Sequence, residues 1–127
     1  MIRRVLIVED NPITARLHEH HVRRLLKNPN LEVRLAQDGR IAQQILRTER
    51  FDLMLLDLTL PFVSGWELCR QVREADPDGQ VRIVVATTQE DPALEVKLRQ
   101  LGVDGLLRVP VSAEGLQLML QRLGLLP

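Results

Sequence analysis

Apolar residues fall in short runs separated by amphipathic stretches, and the two kinds alternate along the chain. Residues 5–8 (Val-Leu-Ile-Val) and 53–56 (Leu-Met-Leu-Leu) are unbroken, and residues 81–86 are interrupted only by Arg82. Such runs are too short for ordinary helices and fit strands covered on both faces, as in a parallel sheet. Residues 31–35 instead alternate apolar and charged side chains, which marks an edge strand with one wetter face. A fifth strand, 106–109, is short and more polar.

Helical patterns fill the intervals. Asn11-Pro12 caps a helix that runs to about Lys27, with Ile13, Leu17, Val22, Leu25 and Leu26 as its apolar stripe. Asp38-Gly39 leads into a short helix carrying Ile41, Ile45 and Leu46, and a third helix spans about 65–74 with Trp66, Leu68, Cys69 and Val72. Asp91-Pro92 opens a fourth, with Leu94, Leu98 and Leu101 on one face. Ser112 caps a fifth, whose stripe is Leu116, Met119, Leu120 and Leu123. No repeat, low-complexity tract or linker divides residues 1–127, so one domain is expected.

Five strands alternating with five helices, joined by right-handed crossovers, give an α/β fold with a doubly wound parallel sheet and helices on both faces. Placing the alternating second strand at one edge and the polar fifth at the other gives the order 2-1-3-4-5, a flavodoxin-like arrangement. Its switch point lies between the first and third strands, where ligands collect beyond the carboxyl ends. Those two strands end in Glu9-Asp10 and in Asp57.

Composition narrows the chemistry. The chain is 45% apolar but only 2% aromatic, so its core is aliphatic. Seventeen basic and seventeen acidic residues cancel, which argues against a nucleic-acid or anionic-membrane footprint. One cysteine, Cys69, excludes an internal disulfide and suits a reducing compartment. The first residues enter a strand pattern directly, without a secretory h-region, and no apolar stretch is long enough to span a bilayer. A cytoplasmic protein is expected.

Three carboxylates meeting in one crevice repel one another. Two unit charges about 4 Å apart cost about 4 kcal/mol at an effective dielectric of 20. Either one carboxyl keeps its proton or a cation is bound, and hard oxygen ligands with room for water suit Mg²⁺. A free carboxylate beside such an ion, with the hydroxyl of Thr87 at the neighbouring strand end, is a constellation for phosphoryl transfer.

These residues resemble the receiver domain of two-component response regulators. The resemblance rests on Glu9-Asp10, on Asp57-Leu58-Thr59-Leu60-Pro61 with Gly65 eight residues after Asp57, on Thr87 after an apolar strand, and on Pro110 after the fifth strand. It covers essentially the whole chain. It implies that Asp57 accepts a phosphoryl group from a histidine kinase or a histidine phosphotransfer protein. It further implies that Glu9, Asp10, Asp57 and the backbone carbonyl of Thr59 hold Mg²⁺, that Thr87 contacts the phosphate, and that Thr59 and Gln89 tune dephosphorylation.

Two positions depart from the family pattern. The family lysine before the strand-five proline is Val109 here, with Arg108 one residue earlier and expected to face away from the site. The aromatic switch position three residues before that lysine is Leu106. Both departures favour a second reading, a pseudo-receiver that serves as a docking or dimerisation module with little phosphorylation-dependent switching. A third class, a phosphatase with an aspartyl-phosphate intermediate, is disfavoured because its general acid/base position is Thr59.

Other conspicuous residues weigh less. His18 and His21 share a helix face with no carboxylate or cysteine to complete a ligand set, so the three histidines, His20 included, are read as a solvated face. Cys69 and Trp66 read as packing. Val96 and Leu118 lie off their helices' main stripes and point to a partner surface on the last two helices. With the fifth strand, that surface is the expected place for a homodimer. No effector pattern follows Leu125, so output is expected to run through protein contacts unless the chain is part of a longer one.

Overall fold

The computed structural model describes residues 1–127. The elements are β1 (Arg4–Val8), α1 (Pro12–Leu26), β2 (Glu32–Ala36), α2 (Gly39–Thr48), β3 (Leu53–Leu56), α3 (Gly65–Ala75), β4 (Arg82–Thr87), α4 (Leu94–Gln100), β5 (Gly105–Arg108) and α5 (Ala113–Arg122). One five-stranded sheet has the order β2-β1-β3-β4-β5, every neighbouring pair parallel, as the pattern of runs requires.

Alternation along the strands divides the core in two. Leu6, Val8, Met54, Leu56, Ile83 and Val85 face one side, where Ala42, Leu68 and Leu98 from α2, α3 and α4 cover them. Val5, Ile7, Leu53, Leu55, Val84 and Ala86 face the other, under Val22 of α1 and Leu116 and Leu120 of α5. All the residues of β3 and the last four of β1 are buried, which explains why those runs carry no polar interruption. Burying one such side chain contributes roughly 1.5–3 kcal/mol, so these central strands anchor the positions at their carboxyl ends.

Local chemistry sets the helix starts. The Asn11 side chain accepts from the backbone N–H groups of Ile13 and Thr14 at 2.9 and 3.1 Å, with Pro12 in the first turn. Asp38, Ser64 and Ser112 cap α2, α3 and α5 in the same way. The fourth helix departs from expectation. Asp91 accepts from the N–H of Ala93 in a turn of its own, and regular helix begins only at Leu94 with no side-chain cap. Strand 4 starts one residue late because the N–H of Val81 donates to the Asp76 carboxylate at 2.8 Å rather than to the sheet.

The face of α1 differs from the one its apolar pattern suggests. Ala15, His18 and Val22 turn inward, whereas Ile13 is 80% exposed and Leu17 43% exposed. His18 is therefore not on a solvated face: it is 2% exposed, and its Nε2 has no hydrogen-bond partner. The remaining edges follow expectation, with Glu32 and Arg34 exposed on β2 and Val96 and Leu118 exposed on α4 and α5.

Candidate functional site: a carboxylate cluster at the switch point

Two sheet positions create the site. The Glu9 N–H donates to the Ala36 carbonyl at 3.0 Å and the Asp57 N–H to the Val8 carbonyl at 3.2 Å, so β1 and β3 deliver their acids to one crevice. Glu9, Asp10 and Asp57 can each offer an oxygen such that all three lie within 4.8 Å of one another. Glu9 is buried, Asp57 half-buried and Asp10 exposed. The three acids expected from the sequence are thus brought together.

Their electrostatics reflect that placement. Burial, assisted by the neighbouring Asp10 and Asp57 charges, pushes the Glu9 carboxyl up to about 7, against the pull of the Asn11 N–H at 3.1 Å. Burial also raises Asp57, while the N–H groups of Thr59 and Leu58 act to stabilise its charge and Asp10 opposes them. The Thr59 N–H lies 3.3 Å from the Asp57 carboxylate. A mutually repelling set of hard oxygen donors, graded from buried Glu9 to exposed Asp10, fits a small divalent cation such as Mg²⁺, which would lower the cost of ionising all three.

Asn11 carries a second role beyond that of a helix cap. Its N–H sits on the Glu9 carboxylate while its side chain caps α1. The Asn11 N–H is free for that contact because backbone N–H groups at a helix start have no intrahelical acceptor.

Thr87 ends β4 almost completely buried, 1% exposed, and its hydroxyl accepts from the Gln89 N–H at 3.2 Å. The Gln89 side-chain amide in turn reaches the Thr59 hydroxyl at 3.5 Å. Thr59, Thr87 and Gln89 therefore form a polar rim joining the loops after β3 and β4. Thr87 makes no hydrogen bond to Asp57 itself.

Neither departure from the family pattern is compensated nearby. Val109 packs against the α1–α5 side of the core and Leu106 against the opposite side. Arg108, paired with Thr87 in the β4–β5 register, is exposed and makes no ion pair. No cationic side chain forms a salt bridge with Glu9, Asp10 or Asp57. No helix is long and apolar enough to cross a membrane.

Comparison with known proteins agrees with this architecture. Residues 5–121 match the response regulator receiver domain. The chain is 34% identical over 113 residues to the response regulator MprA of Mycolicibacterium vanbaalenii, covering 89% of this chain and 46% of that protein. It is 35% identical over 114 residues to the sensor histidine kinase TmoS of Ectopseudomonas mendocina, covering 90% of this chain but 11% of that one. The chain thus spans less than half the length of these curated relatives. Among solved structures, the chemotaxis response regulator CheY4 of Vibrio cholerae superposes with a TM-score of 0.80 at 28% identity, over 96% of this chain and 98% of that one. By its match over 5–121 and by this shared fold, the chain belongs to the response regulator receiver domain family.

Proposed function

We propose that residues 1–127 act as one phosphoaccepting receiver domain in a two-component signalling system, with Asp57 as acceptor. The observation that carries this reading is the convergence of Glu9, Asp10 and Asp57 within 4.8 Å at the carboxyl ends of β1 and β3. The donor is a phosphohistidine on a sensor kinase or histidine phosphotransfer protein. An Asp57 carboxylate oxygen attacks phosphorus, the phosphorus–nitrogen bond of the donor breaks, and the electron pair leaves with the imidazole. Mg²⁺, held by Glu9, Asp10, Asp57 and the backbone carbonyl of Thr59, would supply charge neutralisation for the phosphoryl oxygens.

The chain's own groups supply the rest. Burial keeps Asp57 poorly hydrated, and the Thr59 N–H holds its carboxylate in place. Thr87, which accepts from Gln89, retains its own O–H as a donor for a phosphoryl oxygen. Thr59 and Gln89, facing each other across the rim, control access of water to the acyl phosphate and so its lifetime. The domain signals rather than turning over a substrate. Its output runs through protein contacts in the cytoplasm, with the exposed Val96 and Leu118 and strand β5 as the homodimer surface.

The pseudo-receiver reading keeps one specific support: the position of the family lysine is Val109, a half-buried apolar side chain packed against the core. Thermal melting with and without Mg²⁺ tests the site. Millimolar Mg²⁺ stabilises the wild type by mass action and Asp10→Asn much less. A melting temperature indifferent to Mg²⁺ in both proteins would overturn the metal-binding pocket.

A further inference from the structure

A cavity of about 670 Å³ opens at the end of the sheet opposite Asp57. It lies between the carboxyl-terminal turns of α2 and α3, below the starts of β1, β3 and β4. Asp52 on its wall and Asp57 flank β3 at opposite ends, roughly 16 Å apart at the rise of an extended strand. The proposed phosphorylation chemistry uses none of it. Its volume is in the range of small-molecule pockets.

Three kinds of group line it. Leu46 supplies apolar surface together with the edges of the buried Val72 and Val81, while the ring of the buried Phe51 is covered by the Arg4 guanidinium, 5.1 Å from its centroid. Gln43, Gln71 and Gln80 supply amides; Gln43 donates to Gln71 at 2.8 Å and keeps its own carbonyl oxygen free, and the Gln80 side chain has no partner. Arg3, Arg47 and Arg50 supply guanidinium groups that make no ion pair and no side-chain hydrogen bond.

The acids on the wall are already engaged. Asp52 accepts from the N–H groups of Arg3 and Arg4 at 2.8 and 3.0 Å. Asp76 accepts from the Val81 N–H at 2.8 Å and pairs with Arg73. Glu49 pairs with Arg4 and Arg34. The Asp52 charge is held by backbone N–H groups and not by a cation, so four arginines against three acids leave the lining with a net charge of +1. The carboxyl ends of α2 and α3 oppose an anion weakly, an effect confined to the last turn and screened by salt.

We propose that this cavity is a nucleotide-binding site. The heteroaromatic base packs on Leu46 and the exposed edges of Val72 and Val81, its polar edge meets the Gln43, Gln71 and Gln80 amides, and the phosphate is held by Arg3, Arg47 and Arg50. Unpaired guanidinium forks match phosphate oxygens in a bidentate way, and the amides offer both donors and acceptors to a base edge. Neither the apolar surface nor the arginines alone would select such a ligand; their union in one cavity does.

The test is titration of the isotopically labelled full chain, without Mg²⁺, with AMP, GMP, the two nucleosides and inorganic phosphate, read by amide chemical shifts. At least one nucleotide should give saturable shifts in the Gln43, Gln71 and Gln80 side-chain amides. The matching nucleoside, and the Arg47→Glu/Arg50→Glu double variant with the nucleotide, should each bind at least roughly tenfold more weakly, the scale of one charge-assisted hydrogen bond. Gln43→Leu, which removes an amide and no charge, should weaken binding while leaving the rest of the spectrum folded. Absence of saturable shifts, shifts confined to the Asp57 end, equal binding by the double variant, or equal effects from inorganic phosphate would each overturn the assignment. Acyl phosphate formation at Asp57 is measured separately, so loss of either property leaves the other readable.

Discussion

Gly65 lies directly against the backbone of Asp57: a Cβ at Gly65 would stand 2.3 Å from the Asp57 carbonyl oxygen and 2.6 Å from Leu58 Cα. The Gly65 N–H also donates to the Leu58 carbonyl at 2.9 Å, so the start of α3 is moulded onto the loop after β3. The atoms a methyl group would meet are backbone, which cannot swing aside. Gly65→Ala should cost about 1–3 kcal/mol, the usual range for overpacking, and should slow phosphorylation at Asp57 by displacing its loop. Urea unfolding measures the first effect and the rate of acyl phosphate formation the second.

The raised Glu9 carboxyl makes stability depend on pH with a definite sign. The unfolded chain releases this proton near 4.5 and the folded one near 7. Between those values the folded state holds more protons, so Glu9 contributes a loss of stability as pH rises from 4.5 to 7 and no further change above. Mg²⁺ favours the ionised carboxylate, so its affinity should climb through the same window and level off beyond it. Melting temperatures measured across pH with and without Mg²⁺ should diverge toward pH 7 in the wild type. In Glu9→Gln the divergence should be small and lack that pH dependence.

His18 acts in the opposite direction. Burial, aided by His21, lowers its basicity from the usual 6.5, so the unfolded chain takes up a proton before the folded one. Stability from this group is complete above 6.5 and falls as pH drops below it. The unpartnered Nε2 is a further cost at any pH. His18→Leu should raise stability near neutrality by about 1 kcal/mol and flatten the acid limb. Chemical denaturation at pH 7 and pH 5.5 checks both, and an unchanged acid limb would place its origin elsewhere.

Much of the fold is legible in the sequence, and the exceptions have physical causes. The runs at 5–8 and 53–56 announce buried parallel strands because both faces of those strands are covered. Their terminal acids announce the crevice because strand order dictates which ends meet. The inward face of α1 escapes its apolar pattern because two of its three fully buried residues are a small alanine and a histidine, while Ile13 and Leu17 sit in solvent. An apolar stripe cannot reveal a buried face that carries so little hydrocarbon. The nucleotide-sized cavity is invisible in the sequence because its walls come from short, separate stretches that no spacing rule connects.

On the proposed function, Val109 and Leu106 are the positions expected to set how the fold responds to a phosphoryl group on Asp57. With Val109 half-buried against the core and Arg108 unpaired in solvent, no lysine or arginine is poised to draw β5 toward a phosphoryl group. Beryllofluoride, a phosphoryl mimic, should therefore produce only small amide shifts over residues 90–125 in the wild type. Val109→Lys should enlarge them. A large wild-type response that the lysine does not improve would assign the role to another group, Arg108 first.

The role of Asp57 as acceptor is open to direct measurement: intact mass after incubation with acetyl phosphate and Mg²⁺, then mapping of the modified peptide. The wild type should gain one phosphoryl group on Asp57, lose the gain when Mg²⁺ is chelated beforehand, and show none in Asp57→Asn. A wild type that stays unmodified with Mg²⁺ present, or a label that persists in Asp57→Asn, would contradict the assignment.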